Sequence, residues 1–479
     1  MKKGETYEGT VRRISFPNKG HVTVGDRDVI VKNALPGQTV RFRINKKKAG
    51  RTEAQLLEVL EPSPLETQGA LCSGYPSCGG CFCQSMACGD QLRMKEREIR
   101  ELLAPAFDRE RSRNSSFSPD TAWEGILPSP ESSCYRNKME YAFGDSEKDG
   151  PLTLGLHRKN SMYDILTADD CILVHPDFNA VVRCTLEFFS GLHVPYFRRI
   201  SHEGYLRHLL VRRGVSTGEM LIDLVTTSQD PFVSRKNKEE DPPLGTEEML
   251  KRFADRLLSL NLSGSITGIL HTENDSVADV VKNDRTEILY GRDYFYENLL
   301  GLKFRITPFS FFQTNTKGAE VLYRTVMDFL GDVSGNTVFD LYSGTGTIAQ
   351  ILAPAAKNVV GVEIMEEAVR AAVENAAENG LDNCRFIAGD VLKVLDGLEE
   401  KPDAIVLDPP RDGIHPKALP KIIACGVKRI VYISCKPTSL ARDLEVLQAG
   451  GCRIRRVRSI DMFPNTANIE TVCLLCKSL

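Results

Sequence analysis

The last third of the chain alternates short apolar runs with helical patterns, and this alternation restricts the fold more than any other feature of the sequence. Apolar runs of strand length lie at residues 337–341, 358–364, 384–388, 403–407 and 429–434. Helical patterns fill the intervals, and the pattern at 366–379 ends at Gly380, a residue typical of helix C-termini. Strands that alternate with helices predict a doubly wound α/β sheet with parallel strands. Two further runs, at 453–460 and 469–476, predict an antiparallel edge.

The remainder of the 479-residue chain predicts a multidomain protein. Residues 1–60 contain short alternating runs between Gly and Pro turns, and they predict an OB-like β-barrel. Its predicted strands lie at residues 7–14, 21–24, 28–31 and 39–45. Residues 61–310 mix short strand patterns with loops and predict a central α+β domain. Residues 311–479 form the predicted Rossmann-like α/β domain.

Three local patterns refine this outline. A helix is predicted at residues 87–103, after a cysteine-rich loop. Residues 107–133 and 234–246 are rich in polar and charged side chains, and both are predicted to be exposed loops.

Charge is distributed unevenly along the chain. The formal net charge is -3, yet residues 1–60 hold 13 Lys and Arg against 6 Asp and Glu. A basic run from Arg41 to Arg51 could contact the phosphates of RNA, or it could be a solvated hairpin. Because the chain has no 18-residue apolar run and no apolar stretch near Met1, we expect no transmembrane helix, no signal peptide and a cytoplasmic protein.

A glycine-rich turn after the first strand of the α/β region predicts a nucleotide cofactor. Gly344 and Gly346 follow this strand, where they would let the backbone approach a ligand closely. Glu363 ends the second strand, where a carboxylate can accept hydrogen bonds from both ribose hydroxyls. The pattern fits the dinucleotide fingerprint as well, so by itself it leaves both NAD and S-adenosylmethionine open.

The turn after the fourth strand favours S-adenosylmethionine. Asp408 opens an Asp-Pro-Pro-Arg sequence, and such a turn is a feature of methyltransferases rather than of dehydrogenases. The alternative is a rigid turn without a role in binding.

The fifth strand brings a candidate nucleophile, Cys435, to the same edge of the sheet. Pro437 suits the first turn of the helix that follows, so the thiol should lie at a helix N-terminus beside Lys436. Both features should lower the pKa of the thiol. A thiolate that adds to carbon 6 of uracil makes carbon 5 nucleophilic, and a base must later remove the carbon-5 proton. Glu470, at the start of the last strand, is the candidate base.

Taken together, these motifs resemble the RNA uracil-5 methyltransferases that carry an N-terminal TRAM domain and an iron–sulfur cluster. Five motifs occur in the family's order along essentially the whole chain, and they begin at Phe311, Asp340, Asp408, Ser434 and Ile469. The resemblance implies that Cys435 is the nucleophile and Glu470 the base. It implies that S-adenosylmethionine is contacted by Gln313, Tyr342, Glu363 and Asp408. The chain departs from the common pattern at Ser343, Lys436 and Asn468.

Fourteen cysteines are many for a protein of a reducing compartment, and three of them lie close together. The spacing of Cys72, Cys78 and Cys81 suits either zinc or an iron–sulfur cluster, and Cys83 or Cys88 could complete a local zinc site. The family resemblance implies a [4Fe–4S] cluster, with Cys171 as the distant fourth ligand.

Three rival functions fit the motifs less well. RNA cytosine-5 methyltransferases carry Pro-Cys where this chain has Pro409-Pro410, and amino-methyltransferases have an aromatic residue where Arg411 stands. A non-catalytic iron–sulfur protein that binds RNA would not need intact cofactor and nucleophile motifs. We expect 23S rRNA as the substrate, with tRNA as the alternative, and a monomer without an obligate protein partner. Phe309, Phe311 and Phe312 could line the opening for the target base, or pack in the core.

Overall fold

The computed structural model describes residues 1–48, 50–232, 245–278, 284–398 and 400–477. The polar stretch predicted at 234–246 lies outside the described residues except for its last two positions. There, Gly245 directly precedes a helix.

The N-terminal strands close into a small barrel, as predicted. Within the described residues the strand order is β1-β2-β3-β5-β4. The strands are β1 (Thr6–Ser15), β2 (Lys19–Val24), β3 (Arg27–Lys32), β4 (Thr39–Lys48) and β5 (Arg51–Glu61). Alternate apolar side chains fill the interior, among them Val22, Val31 and Phe42. The sequence pattern did not predict β5, because its outward face is largely charged.

The segment after the cysteine-rich loop packs against the C-terminal sheet. It comprises α1 (Cys88–Arg113), α2 (Pro119–Ala122) and β6 (Trp123–Pro128). The helix predicted at 87–103 therefore continues ten residues beyond its predicted end, and the exposed loop predicted at 107–133 is wrong for most of its length. The β6 strand pairs with a strand more than 300 residues away. Local composition cannot reveal such a partner.

The central region is a mixed sheet with two covering helices. Its elements are β7 (Lys138–Gly144), β8 (Thr153–His157), β9 (Ile165–Thr167), α3 (Pro176–Gly191), β10 (Leu206–Arg213), β11 (Glu219–Thr226), α4 (Thr246–Leu258), β12 (Ser265–Glu273) and β13 (Arg285–Gly291). In the described part of the chain the strand order is β13-β12-β11-β10-β7-β8-β9. Its core includes Phe178, Phe189 and Phe253.

A hairpin of β14 (Phe295–Leu299) and β15 (Leu302–Ile306) leads into the C-terminal α/β domain. The elements of this domain are α5 (Thr316–Leu330), β16 (Thr337–Leu341), α6 (Thr347–Leu352), β17 (Asn358–Glu363), α7 (Glu366–Glu378), β18 (Cys384–Ala388), α8 (Val391–Gly397), β19 (Ala404–Leu407), α9 (Ala418–Ala424), β20 (Arg429–Ser434), α10 (Pro437–Ala449), β21 (Cys452–Asp461) and β22 (Glu470–Lys477). The predicted strands are confirmed to within one residue at each end.

The C-terminal sheet has the doubly wound arrangement that was predicted. Among the described residues its order is β18-β17-β16-β19-β20-β22-β21-β6. The first five strands are parallel, while β22 runs antiparallel to both β20 and β21. One core lies between the sheet and α1, α8, α9 and α10, and a second core involves α5, α6 and the β14–β15 hairpin.

This topology fixes the place of the ligand site. The strand order changes direction at β16, because β17 and β18 lie on one side of it and β19 and β20 lie on the other. Ligands bind beyond the carboxyl ends of the strands at such a change of direction. None of the helices in the described residues has the length and apolar composition that crossing a bilayer requires.

Candidate active site

The turn after β16 is shaped for close approach of a ligand. Tyr342, Gly344 and Gly346 have φ angles of 70°, 54° and 72°. A Cβ on Gly346 would lie 2.5 Å from the ring of Phe386, so only glycine fits there. Tyr342 is not a glycine, and its left-handed conformation is strain of the kind that accumulates at functional sites.

Glu363 closes this turn from the neighbouring strand. Its carboxylate accepts hydrogen bonds from the backbone N–H groups of Gly344 and Met365, each at 3.0 Å. Ile364 and Met365 are 63% and 60% exposed, which leaves apolar surface directly beside the carboxylate. A carboxylate next to exposed apolar side chains suits a nucleoside, because it offers acceptors for the ribose and contact for the base.

Phe311 lies over the same turn. The hydroxyl of Thr345 donates to its carbonyl oxygen at 3.1 Å, and its ring is 65% exposed. Phe309, Phe311 and Met365 help to line a cavity of about 430 Å³. Phe312, by contrast, is buried in the core, so its side chain does not line an opening for the target base.

Two acidic groups lie at the carboxyl ends of the strands, where Asp340 is buried and Asp408 is partly buried. Burial raises the pKa of Asp408 to about 7. Burial, followed by the charge of Asp408, raises the pKa of Asp340 to about 8. Asp340 Oδ2 accepts a hydrogen bond from the backbone N–H of Ala349 at 3.0 Å, which ties it to α6. A cation bound at this edge would lower both pKa values and favour the ionised carboxylates.

Two residues of the central region hydrogen-bond to the loop that carries Gln313. Arg212 is fully buried, and its Nη1 donates to the carbonyls of Thr307, Pro308 and Ser310 at 2.7–3.0 Å. Asn137 donates through Nδ2 to the carbonyl of Gln313 at 2.8 Å. Two residues outside the C-terminal domain therefore fix the path of this loop.

Cys435 and Glu470 lie at the same end of two adjacent antiparallel strands. Ser434 on β20 is the register partner of Thr471 on β22. Cys435 directly follows Ser434 and Glu470 directly precedes Thr471, and the charge of Glu470 acts on the thiol of Cys435. Cys435 is partly exposed whereas Glu470 is buried, so the thiol is the more accessible of the two groups.

The prediction that the pKa of the Cys435 thiol is lowered was wrong. Burial, with the nearby carboxylates of Glu470 and Asp408, raises the pKa of the thiol to about 11, and Arg411 opposes the shift. The side chain of Lys436 is exposed, and its Nζ lies 4.0 Å from Asp412. Lys436, the cation expected to lower the pKa of the thiol, therefore lies near Asp412 instead. The carboxylates of Glu470 and Asp408 lie near the thiol.

The pKa of the Glu470 carboxyl group is also raised, which disfavours its ionised form. Burial is the largest cause that raises its pKa well above the usual range, and the charge of Asp408 adds to it. Arg411 lowers the pKa of Glu470 and is the cation that acts on both groups. Without a further positive charge, the surroundings of both side chains therefore favour the protonated form.

The four cysteines predicted to bind metal line one small cavity. Cys72, Cys78 and Cys81 come from the cysteine-rich loop, and Cys171 comes from the segment before α3. Burial, followed by the charges of the other three cysteines, raises the pKa of Cys81 to about 12. Among the described residues, no group of three or more His, Cys, Asp or Glu side chains is arranged to hold a single metal ion.

Groups around this cavity suit an anionic cluster. The side-chain amide of Gln84 donates to the sulfurs of Cys72 and Cys81 at 3.5 and 3.8 Å, and Gly80 N donates to Cys78 Sγ at 3.4 Å. Lys159 is nearby, and burial is the main cause that lowers its pKa. In a [4Fe–4S] cluster each thiolate binds a different iron, so its ligands surround a cavity rather than meet at a point.

Cys83 and Cys88, the alternative zinc ligands, do not line this cavity. Cys83 is fully buried among apolar side chains beneath the barrel, and Cys88 is exposed at the start of α1.

The basic run of the barrel is partly neutralised. Arg41 pairs with Glu8 at 2.8 Å and also with Glu58, and Arg51 pairs with Glu53 at 2.9 Å. These pairs reduce the positive charge that the run was predicted to offer to phosphates.

Comparison with known proteins places the chain in a family. A family model described as tRNA (Uracil-5-)-methyltransferase matches residues 266–478. A Clostridium tetani protein named "Uncharacterized RNA methyltransferase" is 46% identical over 476 residues, which is 98% of each chain. A protein of the same description from Caldanaerobacter subterraneus is 43% identical over the full length of both chains. The chain belongs to the RNA uracil-5 methyltransferase family.

A solved structure extends the similarity to the whole fold of this methyltransferase. The crystal structure of Pyrococcus abyssi tRNA (uracil-54, C5)-methyltransferase in complex with S-adenosyl-L-homocysteine superimposes with a TM-score of 0.72. The two proteins share 25% sequence identity, and the match covers 98% of this chain and 100% of the other.

Sequence reasoning missed three buried residues beside the site. Besides Arg212 and Asn137, Tyr323 on α5 is buried, and Asp408, Asp340, Glu470 and Gln313 are among the groups that act on the pKa of its phenol. Tyr323 occupies a buried position of an amphipathic helix, which is where core aromatics normally lie. Arg212 lies in β10 together with Arg207, His208 and Arg213, so its residue type gave no signal that singled it out.

Proposed function

We propose that the enzyme transfers a methyl group from S-adenosylmethionine to carbon 5 of a uridine in RNA, through a covalent bond between Cys435 and carbon 6. The proximity of Cys435 and Glu470, which flank the Ser434–Thr471 pair at the edge of the sheet where ligands bind, carries this proposal. Membership of the RNA uracil-5 methyltransferases supports it.

The reaction proceeds in three steps. The thiolate of Cys435 adds to carbon 6, and the electrons of the C5–C6 double bond move to form an enolate. Carbon 5 then attacks the methyl carbon, whose bond to the sulfonium sulfur breaks to leave S-adenosylhomocysteine. Finally Glu470 takes the carbon-5 proton, the double bond forms again, and the C6–S bond breaks to release the thiolate.

We assign the binding of S-adenosylmethionine to Gln313, Tyr342, Glu363 and Asp408. Glu363 would accept hydrogen bonds from the ribose, and exposed apolar groups beside it would contact the adenine. The sulfonium carries a positive charge. At this edge it would lower the pKa values of Asp408, Glu470 and Cys435, so cofactor binding would favour the ionised forms that catalysis needs.

The cysteine cavity is assigned to a [4Fe–4S] cluster held by Cys72, Cys78, Cys81 and Cys171. Four sulfurs around one cavity, two N–H donors to sulfur on Gln84 and Gly80, and the amine of Lys159 fit such a group. When bound, the cluster would fix the cysteine-rich loop against the central region.

We assign RNA as the substrate. The first candidate is 23S rRNA, because the proposed iron–sulfur architecture resembles that of enzymes that act on large-subunit rRNA. A cavity of about 550 Å³ next to the Gln313 loop is lined by Arg136, Arg213 and Lys317, and positive groups of this kind suit an RNA backbone. Lys317 pairs with Glu131 and Arg213 with Asp177, so these pairs reduce the charge that the cavity offers. A tRNA substrate is the second candidate, since the Pyrococcus abyssi enzyme acts on tRNA.

Comparing 5-methyluridine in RNA from cells with and without the gene tests this assignment. We expect a single class of RNA to lose the modification, at mapped positions in 23S rRNA, and a plasmid copy of the gene to restore it. Loss confined to tRNA would replace the first candidate with the second. Unchanged 5-methyluridine in all RNA would contradict the proposed function.

A further inference from the structure

The loop between β21 and β22 leads directly to Glu470 and is held from outside at several points. Lys95 on α1 pairs with Asp461 at 2.7 Å in the buried interior, and its amine also donates to the carbonyls of Phe463 and Asn468. The hydroxyl of Tyr135 donates to the carbonyl of Pro464 at 2.9 Å. Since each contact comes from outside the C-terminal domain, other parts of the enzyme fix this loop.

Asn465 is the centre of this arrangement. It is 5% exposed and has a φ angle of 67°, in the left-handed region that residues other than glycine seldom adopt. Its carbonyl accepts hydrogen bonds from the N–H groups of Phe82 and Cys83 at 2.7 and 3.1 Å. Its N–H donates to Gln91 Oε1 at 2.8 Å, and its Oδ1 accepts from Gln91 Nε2 at 3.0 Å. Its Nδ2 donates to the carbonyl of Ser132 at 3.0 Å.

Every polar atom of Asn465 therefore bonds to another segment. Phe82 and Cys83 directly follow Cys81, a proposed cluster ligand, whereas Glu470 lies five residues after Asn465. Asparagine tolerates the left-handed conformation better than most residues, and five hydrogen bonds to three segments hold Asn465 in it. A shift of the cysteine-rich loop must move Asn465 or break its bonds.

We propose that Asn465 is a positioning residue that joins the cysteine-rich loop to the catalytic loop, so that the conformation of the cysteine-rich loop sets the position of Glu470. The kinetic consequence rests on the proposed function. It falls on the last step, in which Glu470 takes the carbon-5 proton and the C6–S bond breaks. The first two steps, which use Cys435 on the neighbouring strand, depend less on this loop.

Two substitutions at Asn465 separate its conformation from its side-chain bonds. Asn465→Gly tolerates the left-handed conformation and keeps the backbone bonds, but it loses the bonds to Ser132 O and Gln91 Nε2. Asn465→Ala adds strain to the same loss. We expect release of the covalent RNA adduct to slow roughly 10- to 100-fold in both variants, more in the alanine variant, because small misplacements of catalytic groups have effects of this size. Adduct formation and cofactor affinity should stay close to wild type.

Hydrogen exchange provides a readout that does not depend on activity. In the same variants, the amides of residues 462–470 and those of Phe82 and Cys83 should exchange faster together. Gln91→Ala removes two of the bonds from the α1 side and should reproduce both effects, which provides a second route if an Asn465 variant does not fold.

Gln448→Ala is the matched control for a general loss of stability. Gln448 is a buried glutamine that joins α10 to the carbonyl of Ala106 in α1, away from the loop. It should lower the melting temperature without slowing adduct release. The inference is overturned if the Asn465 variants behave like this control, or if exchange quickens in residues 462–470 but not at Phe82 and Cys83. Failure of the wild-type enzyme to form any adduct would contradict the proposed function, and hydrogen exchange would still test the connection.

Discussion

Cys435 directly follows and Glu470 directly precedes the Ser434–Thr471 pair that ends the antiparallel ladder of β20 and β22, and the charge of Glu470 acts on the thiol of Cys435. The antiparallel direction of β22 makes this proximity possible, because in a purely parallel sheet the start of β22 would lie at the opposite edge from the end of β20. The proposed nucleophile and the proposed base thus lie at the same edge of the sheet.

Cys435→Ala should abolish methylation to the limit of detection while the protein stays folded and binds S-adenosylmethionine. The reason is that carbon 5 stays unreactive when no thiolate adds to carbon 6. Methyl transfer from labelled cofactor and the thermal shift on cofactor binding are the two measurements. Cys425→Ala, which alters a partly buried cysteine at the end of α9, should retain full activity. Turnover by the Cys435 variant at the wild-type rate would exclude covalent catalysis.

Glu470→Gln should form the covalent adduct but release it at least about 100-fold more slowly, which is the usual contribution of a general base. The amide retains the shape of the side chain, so packing should change little. A protein–RNA complex that survives denaturing electrophoresis should accumulate only when cofactor is present. Glu366→Gln, on the exposed first turn of α7, should behave as wild type. Normal turnover without a retained complex would remove Glu470 as the base.

Activity should rise with pH in the neutral to alkaline range. The pKa of Cys435 is raised to about 11 and that of Glu470 is raised well above its usual range, so both groups hold protons that catalysis requires them to lose. We expect kcat/KM for RNA to increase between about pH 7 and 9, since this parameter reports ionisations of the enzyme before RNA binds.

Arg411→Gln should shift this profile to higher pH. The charge of Arg411 lowers the pKa values of both groups, and the variant removes it. Lys436→Gln should shift the profile less, because Lys436 faces Asp412. A flat profile over this range in the wild-type enzyme would show that the enzyme–cofactor complex already holds the thiolate before RNA binds.

The protein purified without oxygen should contain about four iron and four sulfide per chain. Alanine at Cys72, Cys78, Cys81 or Cys171 should lower the iron content, because these four sulfurs line one cavity. Cys88→Ala should leave it unchanged, since that thiol is exposed on α1. Stoichiometric zinc without sulfide would contradict the assignment.

How far the sequence predicts this structure depends on whether a feature is local. The β16 and β19 strands are buried on both faces, so they appear as continuous apolar runs and were predicted correctly. The β6 strand was missed because its partner, β21, is more than 300 residues away. The β5 strand was missed because charged side chains obscure its alternation.

The site follows the same rule. The glycine turn and the residues after β19 and β20 could be placed, because parallel strands bring their carboxyl ends to one edge. The pKa of Cys435 was mispredicted since Lys436 is its sequence neighbour, whereas Glu470 and Asp408 are its neighbours in space. Cys171 was joined to the other cysteines by family resemblance alone, because no spacing rule connects residues so far apart.

Release of tritium from RNA labelled at carbon 5 of uridine tests the central claim most directly. Methylation at carbon 5 must expel the hydrogen of that carbon, whereas methylation at a nitrogen or at the ribose leaves it in place. We predict that tritium enters water in step with methyl incorporation, that release requires S-adenosylmethionine, and that it ceases in Cys435→Ala. Methyl incorporation into RNA without tritium release would show that the enzyme modifies another atom, and it would contradict methylation at carbon 5.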